Sequence, residues 1–209
     1  KLVVSPQSKS LTNLFLSMSD LKKNPQKHLA RHVGKLAVVG TGLMGQGIAA
    51  VSTSVCDTIL MKDVNLDAVA AGKKEIWKSL EKRTKAGAML HFDRDVQYNK
   101  LVACDDYALF VNTDLVIEAV FEELEIKKRV LADVEAATGE WTIFASNTSA
   151  IPIKNIAAGC KRPQNVIGMH YFSPVPRMPL LEIITTDSTA EWVTATALDL
   201  GIAQGKTCI

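Results

Sequence analysis

From Lys35 onward, short apolar runs alternate with longer segments of helical periodicity. The runs are rich in Val, Ile and Leu, as expected for strands that are covered on both faces. Strands that alternate with helices indicate βαβ units and a parallel sheet. We therefore predict an α/β fold with a doubly wound, mostly parallel sheet. The predicted strands are residues 35–40, 57–63, 100–106, 114–120, 141–147, 165–170 and 179–184.

Helical spacing of apolar residues fills the gaps between most of these strands. The predicted helices are residues 43–53, 66–86, 122–138, 152–159 and 189–201. Residues 87–100 break the rhythm, and we expect them to form an excursion between two strands.

The N-terminal part of the sequence follows a different pattern. Residues 11–23 have apolar side chains at helical spacing, and Asn24-Pro25 is typical of a helix end. We interpret residues 1–33 as a linker helix that arrives from an upstream domain, and residues 34–209 as a separate domain.

The segment VVGTGLMGQG joins the strand at 35–40 to the following helix and carries the pattern G-x-G-x-x-G at Gly40, Gly42 and Gly45. The first glycine permits a tight turn, the second lets a pyrophosphate approach the backbone, and the third allows close packing of helix on strand. Unpaired N–H groups at the helix start, around Leu43 and Met44, would face the phosphates. The pattern predicts a Rossmann-type dinucleotide site.

An acidic residue at the end of the next strand supports this interpretation. Asp63 lies 18 residues after Gly45, close to the spacing expected of an acid that binds a ribose diol. Its carboxylate would repel a 2′-phosphate, which favours NAD over NADP. Lys62 should point to the opposite face of the strand. The alternative is an ordinary βαβ turn without a ligand, in which Asp63 is a plain strand-end acid.

A histidine ends the strand at 165–170, and a carboxylate interrupts the apolar run that follows. The connection S-P-V-P-R-M-P is stiff and can turn the chain, so that Glu182 comes near His170. A carboxylate fixes the tautomer of an imidazole and stabilises the imidazolium, so the pair could act as a base in alcohol oxidation. Alternatively, His170 is a core histidine and Glu182 lies on an exposed edge.

The stretch FASNTSAIP places small polar side chains at another strand end. Ser149 could donate a hydrogen bond to a substrate oxygen, or it could cap a helix that starts near Pro152.

Composition excludes several classes of protein. The 209 residues have a net charge of +2 with mixed signs along the chain, which gives no support for binding nucleic acid. No apolar run approaches the roughly 18–20 residues of a membrane span. The four cysteines form no C-x-x-C and have no histidine at ligand spacing, so we expect reduced thiols and no metal site.

Four segments together resemble the L-3-hydroxyacyl-CoA dehydrogenases, from about Lys35 to the end of the chain. The segments are GTGLMGQGIA, DLVIEAVFEELEIKKRVL, IFASNTSAIPI and GMHYFSPVPRMPLLEIITT. Ser173 stands where the single-function enzymes typically have asparagine. HYFSP and LLEIITT look most like members in which an enoyl-CoA hydratase precedes the dehydrogenase.

The resemblance implies a role for each matching residue. His170 would be the catalytic base with Glu182 as its partner, and Ser149 would lie between substrate and cofactor. Glu122 and Lys127 match positions that contact NAD. Ser79 matches a residue near coenzyme A, and Lys82 or Lys85 would meet its phosphates, although lysines spaced along a helix also need no ligand.

The family also implies a cellular setting and a missing part. It implies fatty acid β-oxidation of an acyl-CoA substrate in the mitochondrion, in the matrix or at the inner membrane, or alternatively in the peroxisome. Expected partners are an upstream hydratase domain and a thiolase β subunit. A helical domain that closes the substrate cleft should follow Ile209, so we expect this chain alone to bind NAD with little turnover.

Two rival functions stay open at this point. One is a non-catalytic NAD-binding or structural protein of the same fold, against which His170, Glu182 and Ser149 together argue. The other is an NAD-dependent dehydrogenase of another small hydroxy acid. Such enzymes often use a lysine base, and no lysine occupies the matching strand end.

Overall fold

An eight-stranded sheet forms the centre of the molecule, which is seen in a computed structural model describing residues 5–209 apart from the side chain of Met18. The strand order is β3-β2-β1-β4-β5-β6-β7-β8. The strands are β1 (Lys35–Val39), β2 (Thr58–Lys62), β3 (Leu101–Cys104), β4 (Leu115–Glu118), β5 (Ile143–Ser146), β6 (Val166–Tyr171), β7 (Leu180–Ile184) and β8 (Thr207–Cys208).

Strands β1 to β6 are parallel, which confirms the predicted doubly wound, mostly parallel sheet. Strand β7 runs antiparallel to β6, as the proline-rich connection predicted, and β8 is parallel to β7. The chain winds outward from β1 through β2 to β3, then returns to β4 on the other side of β1. The carboxyl ends of β1 and β4 therefore form the switch point at which such sheets bind ligands.

The helices are α1 (Pro6–Asp20), α2 (Leu43–Ser52), α3 (Leu66–Lys85), α4 (His91–Asn99), α5 (Leu124–Ala137), α6 (Ile153–Ile156) and α7 (Glu191–Ala203). Those that follow α1 cover both faces of the sheet. Side chains of β1 alternate between two apolar clusters: Leu36 and Val38 join the residues of α2, α3 and α7, whereas Ala37 and Val39 join those of α5 and α6. This alternation is the period of two expected of a strand covered on both faces.

Residues 87–100 are more regular than expected, because most of them form α4. Its Tyr98 meets the Trp77 ring of α3 edge to face at 4.9 Å between centroids, and Arg94 lies 4.5 Å above the same Trp77 ring. Arg94 also pairs with Glu81 of α3 at 2.5 Å. Contacts with α3 thus stabilise a helix whose apolar residues Phe92 and Val96 are exposed.

The helix predicted at 11–23 is displaced toward the N-terminus, at Pro6–Asp20. Ser5 caps it by accepting a hydrogen bond from the Ser8 amide, and proline is well suited to the first helical position. Large apolar side chains of α1 are exposed, among them Leu11, Leu14 and Phe15. The interpretation of residues 1–33 as a linker to an upstream domain stays a prediction. Residues 1–4 of this segment lie outside the described part of the chain.

Residues 24–33 lie against α7. Asn24 donates to the Ala195 carbonyl at 2.8 Å, and the Arg31 amide donates to the Thr196 hydroxyl at 3.0 Å. The Arg31 guanidinium also stacks on the rings of Trp141 and Trp192, at 4.0 and 4.4 Å from their centroids.

Within residues 5–209, none of the helices has the length and apolar character needed to cross a bilayer.

Candidate active site

The glycine loop between β1 and α2 has the close contacts that its motif predicted. Gly40 has a φ of +91°, and a Cβ there would lie 2.6 Å from the Ala119 carbonyl oxygen in the loop after β4. A Cβ at Gly45 would lie 1.7 Å from the Gly40 carbonyl oxygen. Both positions therefore require glycine, because a side chain would displace the loop after β4 at Gly40 and would push α2 away from the glycine loop at Gly45.

Gly42 differs from its two neighbours in the motif because a Cβ there would meet no protein atom within 4 Å. Gly42 is the N-cap of α2, and the first bond of the helix runs from the Gln46 amide to the Gly42 carbonyl at 2.9 Å. The amides of Leu43, Met44 and Gly45 precede that bond and have no carbonyl partner within the helix. Open space over unpaired N–H groups fits a pyrophosphate.

Asp63 follows β2 and is tied to the glycine loop. One carboxylate oxygen accepts from the Thr41 amide at 2.6 Å and the Thr41 hydroxyl at 2.7 Å, and the other accepts from the Val64 amide at 2.8 Å. Burial opposes ionisation of Asp63, but these hydrogen bonds outweigh it and lower its pKa. The carboxylate is therefore ionised at neutral pH. Lys62 lies over the Tyr107 ring instead.

The same hydrogen bonds limit what else Asp63 can accept. They use three of the about four lone-pair positions of a carboxylate, which leaves room for one ribose hydroxyl. A second hydroxyl requires the Thr41 hydroxyl to release Asp63. The Ala68 carbonyl, 3.1 Å from that hydroxyl, offers an alternative acceptor. Asp63 can therefore accept from both ribose hydroxyls, as predicted, only if the Thr41 side chain rotates.

His170 and Glu182 are direct partners in the register of β6 and β7. The Nδ1 atom of His170 lies 2.7 Å from a carboxylate oxygen of Glu182. Because a carboxylate can only accept, Nδ1 carries the proton, and Nε2 is left to act as a base. The Phe172 ring lies 4.4 Å from the imidazole, centroid to centroid, and restricts its rotation.

A cleft of about 340 Å³ connects this histidine with the start of α2. His170, Ser149, Glu122 and Met44 all line it. The other lining residues are Ala119, Val120, Asn147, Tyr171, Phe172 and Ser173. Residues predicted from four separate segments of the sequence therefore meet at one surface, at the carboxyl ends of β1, β4, β5 and β6.

Ser149 lies in the turn after β5, where Glu122 holds the backbone. One Glu122 carboxylate oxygen accepts from the Ser149 and Ala150 amides at 3.0 and 3.3 Å, and from the Thr148 hydroxyl at 2.5 Å. Burial opposes ionisation of Glu122, but hydrogen bonds from Thr148 and Lys127 outweigh it and lower its pKa. Glu122 thus positions Ser149 on the wall of the cleft.

Lys127 is 1 % exposed and contacts two carboxylates. Its ammonium lies 2.9 Å from Glu118, which is fully buried, and 3.1 Å from Glu122. Ser146 also donates to Glu118. Lys127 therefore ties the end of β4 to the turn that carries Ser149. Its predicted contact with NAD stays a prediction, since the side chain does not line the cleft.

The residues matched to coenzyme A lie on α3, away from His170. Ser79 lines a smaller cleft of about 140 Å³ between α2, α3 and the loop at Pro174–Pro176. Lys82 and Lys85 are exposed farther along α3, and Lys85 pairs with Glu81 at 3.4 Å. Their roles in binding coenzyme A stay predictions.

Several residues of the site were not identified from the sequence. Glu118 gave a signal, as an acid inside the apolar run LVIEAV, but Thr41 and Phe172 gave none. Among the described residues, no cluster of three His, Cys, Asp or Glu side chains could hold a metal.

A glycine loop at the switch point of this sheet, with an acid after the second strand, defines a Rossmann-type dinucleotide-binding domain. The chain belongs to the family described as 3-hydroxyacyl-CoA dehydrogenase, NAD binding domain, whose sequence model matches residues 35–209. The predicted family and the predicted cofactor NAD are thereby confirmed. The open backbone at Gly42 and the ionised Asp63 fit that cofactor.

Solved structures agree with this assignment. The 3-hydroxybutyryl-CoA dehydrogenase of Escherichia coli is 33% identical with a TM-score of 0.83, over 86% of this chain and 38% of that one. FadB2 of Mycobacterium tuberculosis is 34% identical with a TM-score of 0.82, over 86% and 64%. The dehydrogenase part of multifunctional enzyme 1 from Caenorhabditis elegans is 27% identical with a TM-score of 0.74, over 86% and 41%. The chain thus spans less than two thirds of the length of each.

Proposed function

We propose that the protein oxidises an L-3-hydroxyacyl-CoA to the 3-ketoacyl-CoA, with NAD as the oxidant. The observation that carries this proposal is the bond of 2.7 Å between His170 and Glu182, at the cleft where α2 begins. It supplies a base with a fixed tautomer beside a dinucleotide site.

In this reaction, Nε2 of His170 takes the proton of the substrate 3-hydroxyl group. Bound NAD supplies the acceptor for the hydride that leaves carbon 3. Glu182 stabilises the imidazolium that forms, because a negative charge then faces a positive one. Ser149, which lines the same cleft in the turn after β5, donates to the substrate oxygen and holds it toward His170.

The glycine loop and Asp63 would hold the cofactor. The amides at the start of α2 would donate to the pyrophosphate, and the Asp63 carboxylate would accept from the adenosine ribose. Ser79 and the exposed Lys82 and Lys85 would meet coenzyme A along α3. Their support is the small cleft at Ser79 and the positive charge of this helix end.

We further propose a setting in fatty acid β-oxidation, in the mitochondrial matrix or at the inner membrane, with the peroxisome as the alternative. The support is the resemblance of HYFSP and LLEIITT to the α subunit of the mitochondrial trifunctional protein. An upstream enoyl-CoA hydratase domain and a thiolase β subunit would then be partners. The Caenorhabditis elegans structure belongs to a protein whose name also indicates several activities.

Substrate discrimination tests the activity. The full-length protein is mixed with NAD and one of three compounds: an L-3-hydroxyacyl-CoA, its D isomer, or the free L-3-hydroxy acid. NADH formation is followed at 340 nm. We expect turnover with the L-acyl-CoA at least about a hundredfold above the other two, the order of discrimination that positioned groups provide. Equal turnover of the free acid would favour a dehydrogenase of small hydroxy acids. NADH binding without turnover of any compound would favour a non-catalytic protein.

A further inference from the structure

Lys206 is a buried lysine that the catalytic scheme does not use. It lies in the turn between α7 and β8 and is 6% exposed. Its ammonium donates to the carbonyl of Val175 at 2.5 Å and to that of Met178 at 2.8 Å. Burial lowers the pKa of Lys206. Two carbonyl contacts offset part of the cost of placing this charge inside the protein.

Both carbonyls belong to residues 172–179, the connection between β6 and β7. The connection bends on itself, because the amides of Arg177 and Met178 donate to the Pro174 carbonyl at 2.9 and 3.1 Å. The Thr207 amide, next to Lys206, donates to the Pro179 carbonyl at 2.7 Å. The turn at Lys206 therefore holds the connection at its middle and at its end.

The opposite side of the connection touches the cofactor helix. Val175 is 1% exposed, and its Cβ would lie 2.9 Å from a Cβ placed on Gly47 of α2. Pro174 and Pro176 line the small cleft beside Ser79. The connection is thus enclosed between Lys206 on one side and α2 on the other.

The ends of the connection carry the reacting groups. His170 lies two positions before its start, Phe172 packs on the His170 ring, and Ser173 lines the cleft. Glu182 follows it on β7. A shift of the connection would therefore move the His170 imidazole and the Phe172 ring relative to the glycine loop.

We propose that Lys206 is a positioning residue for the hydride-transfer site, which acts by fixing residues 172–179 between α2 and the β7 end. The proposal rests on the dehydrogenase activity proposed above. A lysine suits this task because an ammonium has three donors and can serve two carbonyls at once. An apolar side chain of similar length would leave the buried Val175 carbonyl and the partly buried Met178 carbonyl without this donor.

The test compares Lys206→Met with Lys73→Met in the full-length protein. Lys73 is a matched control, because its ammonium is also partly buried and donates to one carbonyl, that of Leu101, at 2.7 Å. Lys73 contacts β3, at the far edge of the sheet from His170. NADH formation from an L-3-hydroxyacyl-CoA gives kcat and KM, titration gives the NADH affinity, and circular dichroism confirms that each variant is folded at the assay temperature.

We expect Lys206→Met to lower kcat about ten- to a hundredfold, as misplacement of reacting groups by about 1 Å does, while NADH affinity is maintained. Lys206→Arg keeps the charge and the donors and should recover part of the rate. Lys73→Met should keep the kcat of the parent. If Lys206→Met does not fold, Lys206→Gln, which keeps one donor group, takes its place with the same expectation.

The outcomes separate this proposal from the activity on which it rests. An inactive parent protein would refute the proposed activity. An active parent with unchanged kcat in Lys206→Met would refute only the role of Lys206. An equal loss of kcat in Lys73→Met would also overturn it, because the effect would then follow from any lost lysine contact.

Discussion

His170 and Glu182 are 12 positions apart in the sequence and directly opposite each other in the β6–β7 pair, with Nδ1 and Oε2 separated by 2.7 Å. The pair shares one face of a two-stranded antiparallel unit attached to a parallel sheet. Strand pairing therefore fixes the distance between the imidazole and the carboxylate.

The first prediction concerns this pair. His170→Gln should lower kcat about 10²–10⁴-fold with NADH affinity unchanged, because a positioned acid–base group is lost. Glu182→Gln should lower kcat about 10- to 150-fold, the equivalent of one charged hydrogen bond of roughly 1.5–3 kcal/mol. The double variant should be no slower than His170→Gln, since Glu182 acts only through His170. Steady-state kinetics at 340 nm measure all three.

His91→Gln serves as the control for that series, because His91 is exposed on α4. Its kcat should equal that of the parent. Fully additive losses in the double variant would show that Glu182 acts independently of the imidazole.

The second prediction concerns cofactor selectivity. The parent should bind NADH much more tightly than NADPH, and Asp63→Ala should weaken NADH binding by roughly 1.5–3 kcal/mol because the ribose loses a charged acceptor. Thr41→Val removes the hydroxyl that occupies Asp63 and should keep NADH affinity. Titration calorimetry measures each affinity. An equal loss in Thr41→Val would mean that Asp63 acts by supporting the glycine loop, and equal binding of both cofactors by the parent would contradict the prediction.

The third prediction separates two glycines of the same motif. Gly45→Ala places a Cβ 1.7 Å from the Gly40 carbonyl oxygen, so it should lower both the Tm and the NADH affinity. Gly42→Ala meets no protein atom within 4 Å and should keep the Tm while it weakens NADH binding. Thermal unfolding and titration are measured for both variants. Parent affinity in Gly42→Ala would show that the pyrophosphate does not approach Gly42.

The fourth prediction concerns acid stability. The folded pKa of Glu122 is lowered, since hydrogen bonds from Thr148 and Lys127 outweigh the effect of burial. Glu122 therefore contributes stability above its unfolded pKa, and this contribution disappears as pH falls through the lower folded value. The Tm of Glu122→Gln should fall less than that of the parent between neutral and acidic pH. Glu140 is exposed, so Glu140→Gln is the control. Its Tm should change with pH as that of the parent does.

The fifth prediction concerns the buried pair of Lys127 and Glu118. Lys127→Met should cost about 3–5 kcal/mol in the free energy of unfolding, because it leaves Glu118 buried without its cation. Lys128→Met removes a neighbouring lysine that pairs with Glu125 near the surface at 3.2 Å, and it should cost less than about 1 kcal/mol. Urea unfolding measures both. A similar loss of unfolding free energy in the two variants would contradict the prediction, because the buried pair would then contribute no more than the surface pair.

The sequence by itself determined the fold class and the position of the cofactor loop. Both depend on local patterns: the alternation of apolar runs with helical periods, and three glycines at fixed spacing between a strand and a helix. It also predicted the approach of His170 to Glu182, because a short, proline-rich connection leaves the next strand few paths other than back along the first. Such features act over a few residues, so their consequences can be predicted without knowledge of distant contacts.

Apart from His170 and Glu182, only the tertiary structure decided which polar groups of the site and its surroundings are paired. Thr41 meets Asp63 across 22 positions, and Lys206 meets Val175 across 31. The same holds for α4, which is stabilised by Trp77 and Glu81 of α3. The strength of a hydrogen bond or ion pair changes when the distance between its two groups changes by a few tenths of an ångström. The fold as a whole sets these distances. The sequence carries no local pattern for such distances, because packing of the whole sheet and its helices sets them.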